Sequence, residues 1–259
     1  MNNKFEIAQQ LNKNLINYPE AMAYLSDRGI DESVVINSNL GFCPPYFSHY
    51  QNNNIIISPL MKGRITVPIK DAYGKIIAFA GRKFEPQIKS VELAFWQMYN
   101  NSPAEAESRI LQWNRGKWIN ESFPKKFHLY NLDIAKKKMR EYNYVVLVEG
   151  YFDSLTLNSY GFENNVALCG TRLSDWHASK INRYCSNVVA LLDGDAAGEN
   201  ALKHIKPILS DLNINLKIIS LPENYDPDDL LMKHGSSLLS KAINRLFEKE
   251  LEEIRITKD

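Results

Sequence analysis

From residue 128 onward the chain alternates strand-like and helix-like segments, and that alternation restricts the fold more than any other feature. A helical pattern over roughly 130–141 leads into YVVLVE, YFDSLTLNSYG, NVALC, SDWHASKINRY and VVALLD. AAGENALKHIKPILSDL, LKIISL and DPDDLLMKHG follow, and a last helix is expected over 236–254. Short apolar runs joined by helices imply βαβ units and a mostly parallel sheet, because parallel neighbours require a crossover connection.

Acidic clusters fall where three of these runs end: Glu149 after VVLV, Asp193 and Asp195 after VVALL, and Asp226 with Asp228 after LKIISLPENY. Carboxylates that end neighbouring parallel strands converge on the crevice where open α/β sheets bind ligands. Each has a plainer reading. Glu149 serves as a turn residue, Asp195 as an N-cap in a DG turn, and Asp228 or Asp229 as compensation for a helix dipole. Asp153, one helical turn past Glu149, reads slightly better as dipole compensation than as an outer metal ligand. Taken together, the set does not stay ionised without cations. Hard divalent ions take oxygen ligands and are shared with substrate phosphates, so the chain reads first as a metal-dependent enzyme acting on phosphates.

The first half is less regular. Helices are expected over 4–16, from Pro19 to a Gly29 C-cap, and over DESVVINSN, with strands over 54–59, 64–70 and 75–82. DAYGK reads as a hairpin turn between the last two strands. Residues 86–124 read as a loop-and-helix excursion. The net charge of +1 means that any basic surface must come from local clustering. Three cysteines without CxxC spacing argue against both a disulfide framework and a zinc ribbon, and point to a reducing cytosol. The polar start lacks a signal-peptide core, no run is long enough to span a membrane, and the five histidines show no paired spacing.

The order E…DxD…DPD over about 142–235 resembles the TOPRIM domain. The upstream half is similar to the polymerase core of DnaG-type primases. YLSDRGI (24–30) and LGFCP (40–44) resemble its opening, and RITVPIKDAYGKIIAFAGR (64–82) its hairpin. YNNSP (99–103) resembles its KYlNSp segment, and FPKKFHLYNLDIA (123–135) its F.K segment. EGYFD, the GT at 170–171, DGDAAG and DPDDLLMKHG continue in register, so the resemblance covers about 20–235. Two departures stand out. Met98 occupies the place of the usual lysine, and an insertion, about 104–122, separates two segments that are nearly adjacent in the family.

The resemblance implies an α/β fold: an N-terminal α+β primase-core subdomain (1–141), a TOPRIM catalytic domain (142–235) with a mostly parallel sheet flanked by helices, and a C-terminal helix (236–259). It implies Glu149, Asp193 and Asp195 as catalytic, and those three with Asp226 and Asp228 as ligands of Mg²⁺, with Mn²⁺ as the alternative ion. It implies Arg82, Lys125, Asn101 and Arg64 as contacts to template or nucleotide. The expected activity is synthesis of short RNA primers on single-stranded DNA from ribonucleoside triphosphates. The expected partners are a replicative helicase and a separate zinc-module protein, and the expected setting is the cytoplasm, that of a host cell if the protein is viral. Two other readings stay open: a TOPRIM nuclease using the same ions, and a partner-dependent accessory subunit.

Overall fold

The computed structural model describes residues 3–48, 50–51, 54–170 and 172–257. His49 and Thr171 lie outside the described residues. The chain divides into two compact units: residues 1–26, 32–69 and 75–123, and residues 27–31, 70–74 and 124–259.

The first unit begins with helices α1 (Asn3–Ile16), α2 (Pro19–Ser26) and α3 (Glu32–Asn37). Strands β1 (Gly41–Cys43), β2 (Tyr50–Gln51), β3 (Asn54–Ile55), β4 (Arg64–Lys70) and β5 (Ile76–Lys83) follow. The strand expected over 54–59 is therefore cut to two residues. A 3-10 turn at Pro59–Met61, capped by the Ser58 side chain, takes its end. The excursion at 86–124 resolves into α4 (Ile88–Met98), α5 (Pro103–Arg115) and β6 (Trp118–Asn120). The sheet order is β1-β4-β5-β6, with β6 antiparallel to β5 and Trp118 opposite Arg82. The apolar stripe of α1, Ile7, Ala8 and Leu11, buries itself against Cys43, Met61, Ile76 and Phe79. The α4–α5 hairpin has a small core of its own, Val91, Phe95 and Trp113. Trp113 is 0% exposed and its indole N–H donates to Lys62 O at 2.6 Å.

The second unit contains α6 (Leu132–Tyr142), β7 (Tyr144–Val148), α7 (Tyr151–Ser159), β8 (Asn165–Ala167) and α8 (Asp175–Asn182). It continues with β9 (Asn187–Ala190), α9 (Ala196–Ser210), β10 (Asn215–Ser220), α10 (Pro227–Glu248) and β11 (Glu253–Arg255). The five strands are parallel, in the order β11-β10-β9-β7-β8. Val145 and Leu147 face α6, α8 and α9 in one core, while α7 and α10 pack together on the other side. This is the alternating parallel architecture that the sequence pattern implies. Gly235, at φ 66°, breaks α10 where the last two helices were expected to part. The helix expected to run to 254 stops at Glu248, and Glu253–Arg255 adds a fifth strand instead. Ile254 is half-buried between the exposed Glu253 and Arg255, a strand alternation too short to outweigh the preceding helical pattern. All three cysteines are buried thiols. Among the described residues, no helix is long and apolar enough to cross a membrane.

The burial of Trp113 makes the hairpin a structural part of its unit. A Trp113→Ala variant is expected to lower the unfolding free energy by about 3–5 kcal/mol in denaturant titration. A loss below about 1 kcal/mol would mean that the hairpin is a loose appendage.

Candidate functional site

The parallel sheet reverses its winding at β7, with β8 on one side and β9 on the other. Leu147 is paired with Ala190, and Leu191 N–H donates to Leu147 O at 3.0 Å. Glu149 and Asp193 therefore leave the sheet from adjacent strands, a few residues past that pair. This is the switch point at which open α/β sheets bind ligands. Gly150 follows Glu149 and opens α7. Its N–H donates to Asp153 Oδ2 at 2.8 Å, so Asp153 caps the helix, as its plainer reading has it.

The Asp193–Asp195 loop is stitched to the turn before α10. Gly194 N–H donates to Tyr225 O at 2.8 Å, and Asn224 N–H to Gly194 O at 3.0 Å. A Cβ on Gly194 would run into the Pro222 carbonyl, and one on Gly198 into the Asp193 carbonyl. Both glycines are what allows the loop to fold this tightly. The capping role considered for Asp195 is real: its Oδ1 accepts from Gly198 N at 2.8 Å. At α10 the cap is Asp226 rather than Asp228 or Asp229, with Asp226 Oδ1 accepting from Asp229 N at 2.7 Å. Each cap occupies one oxygen and fixes the carboxylate, so capping and ion binding are compatible.

Electrostatics show that the acids converge. Burial, with Asp226 and Asp195 nearby, pushes Asp193 up to about 6. Burial, with Asp193 and Asp195, raises Glu149. Burial, with Asp228, Asp193 and Asp226, raises Asp153 well above the usual carboxylate range. Asp228 is 6% exposed. Burial, with Asp226 and Asp193 nearby, pushes it up to about 7 against the opposing charge of Arg28. Arg28 NH1 lies 3.9 Å from Asp228 Oδ2, and Thr156 Oγ1 donates to Arg28 O at 3.1 Å.

Among the described residues, two buried carboxylate oxygens, Glu149 Oε1 and Asp228 Oδ1, have no hydrogen-bond partner. Orphaned carboxylate oxygens among like charges are a poor final state for a protein and a good one for a cation, so the donor set fits a hard divalent ion. Among the described residues, no three acidic, histidine or cysteine groups are gathered closely enough to ligate one ion by themselves. A single ion here would take at most two of these carboxylates, with water and phosphate completing its shell. Two cavities flank the strand ends. One, of about 690 Å³, is walled by Asp193, Asp195, Glu199, Glu223 and Arg255. The other, of about 530 Å³, is walled by Glu149, Arg172, Asn200 and His204.

The basic residues expected to grip template fare differently. Lys125 is half-buried, in a 3-10 turn at Lys125–Phe127. In the first unit, Arg82 is 6% exposed, donates from Nε to Tyr24 Oη at 3.1 Å and lies 5.6 Å from the Trp118 ring centroid. Arg64 departs from expectation. It is 0% exposed, and its five N–H groups are spent on the carbonyls of Leu60, Gly81, Lys117, Trp113 and Gly116. No donor remains for a nucleotide, so Arg64 is a brace that holds the end of α5 and the start of β6.

Asn101 lies exposed in the turn between α4 and α5. The segment that does pair with that strand is Lys117-Trp118-Ile119-Asn120. It has the lysine–aromatic–aliphatic–asparagine order of the motif assigned above to 98–103, including the lysine missing at Met98. That order recurs inside the insertion expected at about 104–122, which takes in most of α5 and all of β6. Sequence reasoning also passed over Arg28, although it stands inside the YLSDRGI motif.

The family described as Toprim-like matches residues 146–231. DNA primase of Aquifex aeolicus (strain VF5) is 33% identical over 258 residues, covering 91% of this chain and 47% of that protein. DNA primase of Staphylococcus aureus (strain COL) is 30% identical over 246 residues, covering 86% and 37%. Among solved structures, the Aquifex aeolicus primase with zinc-binding and RNA polymerase domains aligns with a TM-score of 0.74 at 29% identity, over 95% of this chain and 61% of that one. The DnaG catalytic core aligns at 0.71 and 25% identity, over 94% and 78%. The chain spans less than half the length of these curated relatives.

The raised carboxylates set a pH dependence. A carboxylate whose folded pKa exceeds its unfolded value binds more protons when folded, so its contribution is fully present at low pH and is lost as pH rises through the folded pKa. In the presence of a chelator, the melting temperature is expected to fall between about pH 5 and 8, by the equivalent of about 2 kcal/mol. The double variant Asp193→Asn/Asp228→Asn should flatten that slope. An unchanged slope would show that these groups are not the ones under strain.

Proposed function

We propose that this chain, a homologue of the catalytic core of DnaG-type DNA primases that carries a Toprim-like domain, is itself a primer-synthesising nucleotidyltransferase. It would copy single-stranded DNA into short RNA from ribonucleoside triphosphates. The observation that supports this most is the set of strained carboxylates at the switch point of the parallel sheet, with orphaned oxygens on Glu149 and Asp228.

Glu149, Asp193, Asp195, Asp226 and Asp228 would share one or two Mg²⁺ or Mn²⁺ ions, with water and phosphate completing each shell. The ion supplies charge neutralisation for the triphosphate and lowers the pKa of an attacking hydroxyl. The chain's own residues do the rest. Asp195 and Asp226, each fixed by its cap, keep their carboxylates from swinging away from the crevice. The Gly194–Tyr225 and Asn224–Gly194 bonds hold the two acidic loops at a fixed separation. Arg28 offsets part of the charge at Asp228. Arg82 and Lys125, with Asn101, would contact template or nucleotide phosphate, and Trp118 lies beside Arg82. Within this reading, the catalytic domain expected at 142–235 lies in the compact unit that holds residues 124–259, so the segments expected before and after it, 124–141 and 236–259, are parts of the same unit. A replicative helicase and a zinc-module protein are proposed as partners on the resemblance alone, and a cytoplasmic setting follows from the role in replication.

The test is primer synthesis on single-stranded DNA with labelled ribonucleotides and Mg²⁺ or Mn²⁺. Asp193→Asn/Asp195→Asn keeps a capping side chain at 195, so the variant should fold while losing at least about a hundredfold in activity. Metal-dependent degradation of the template would replace the polymerase reading with the nuclease one. Absence of both activities, restored by adding a zinc-module protein or helicase, would make the chain a partner-dependent subunit.

A further inference from the structure

The turn that carries Lys125 is gripped by its neighbour, α8. Each of its three consecutive carbonyls is taken by a different side chain. His177 Nε2 meets Lys125 O at 2.9 Å, Ser174 Oγ donates to Lys126 O at 2.7 Å, and Lys180 Nζ donates to Phe127 O. His177 is 0% exposed, and its Nδ1 accepts from Ser174 N–H at 3.3 Å. An acceptor at Nδ1 and a carbonyl at Nε2 fix the ring as the neutral form with its proton on Nε2. The backbone under Lys125–Phe127 is thus set before any ligand arrives.

A second observation lies on the same helix. Trp176 is 57% exposed, a position that forgoes much of the burial a large aromatic normally supplies. Its orientation is nevertheless fixed. The ring lies 5.3 Å from that of Phe127 at an interplanar angle of 79°, an edge-to-face pair. Lys126 is exposed, with Nζ 4.9 Å from the Phe127 ring centroid. An open indole, its aromatic partner and the exposed Lys126 therefore occupy one patch, and Lys125 precedes them on the same clamped turn.

We propose that Trp176 and Phe127, flanked by Lys125 and Lys126, form a base-stacking platform for single-stranded nucleic acid. The inference rests on the polymerase reading and extends it from phosphate contact to base contact. Charge decides the occupant, because lysines beside an open ring suit a phosphate backbone whose bases have unstacked. Every base has a π-face, so such a platform holds a strand without selecting its sequence. The clamp by α8 reduces the ordering cost of binding, since little backbone freedom remains to be lost.

The experiment follows tryptophan emission of the full chain as oligothymidylate is added, for the native protein and for Trp176→Ala, Trp176→Phe and Lys125→Ala/Lys126→Ala. Inorganic polyphosphate serves as a ligand with charge and no bases. Stacking of one base predicts that Trp176→Ala weakens oligothymidylate binding about tenfold, equivalent to about 1.4 kcal/mol. Trp176→Phe should retain most of the affinity and lose the quench, and Trp176→Ala should leave polyphosphate binding unchanged. The lysine variant should weaken both ligands. Unchanged oligothymidylate affinity in Trp176→Ala, with a loss in the lysine variant, would overturn the platform and leave the polymerase reading standing. Failure of the native protein to bind oligothymidylate at all would remove both.

Discussion

Mutual repulsion among carboxylates at the switch point of the parallel sheet is the constraint on which the rest of this structure depends. Folding brings Glu149, Asp153, Asp193, Asp226 and Asp228 into one electrostatic neighbourhood. A chain selected for stability alone has no reason to do this, because each added buried charge raises the cost of ionising the others. The fold supplies partial relief through the caps at Asp195 and Asp226, the Gly150 amide at Asp153 and the Arg28 charge at Asp228. It leaves two oxygens with nothing. Partial relief with an orphaned remainder is the arrangement expected where a cation and a phosphate complete the site.

The loops carrying these acids are rigid for reasons rooted in main-chain chemistry. Gly194 lets two strand-end loops touch at the Pro222 carbonyl and Gly198 lets α9 start against the Asp193 carbonyl, which no residue with a Cβ would permit without displacement. The same economy operates in the other unit, where one arginine satisfies the five carbonyls around which a helix ends and an edge strand begins. Arg64 stands at a motif position expected to contact ligand, and its role is to place backbone. A basic residue in a recognisable motif is evidence of a site nearby, and burial decides whether it touches the ligand.

Much of the second unit was legible because strand and helix periods differ sharply and each apolar run ends in a turn signal or a carboxylate. The acidic set was legible for the same reason: strand ends in a parallel sheet are neighbours whatever their separation in sequence. What failed was short or depended on distant partners. β6 and β11 have three residues each, too few for periodicity to register. Two stretches, Tyr99–Pro103 and Lys117–Asn120, resemble one motif in composition, and Trp118–Asn120 is the one that pairs with β5. Only the sheet register distinguishes the two. Arg28 and Trp176 were missed because their significance lies in what they face, Asp228 in one case and Phe127 in the other.

The most direct measurement is thermal unfolding at about pH 8 as a function of Mg²⁺, for the native chain and for Asp193→Asn. If the carboxylates are held together for a cation, Mg²⁺ raises the native melting temperature with the concentration dependence of a bound ligand. The variant should lose most of that rise and should unfold, without metal, no earlier than the native protein, because one repelling charge is gone. A native melting temperature indifferent to Mg²⁺, with a metal-free variant less stable than the native chain, would contradict this. The carboxylates would then be satisfied by the fold itself.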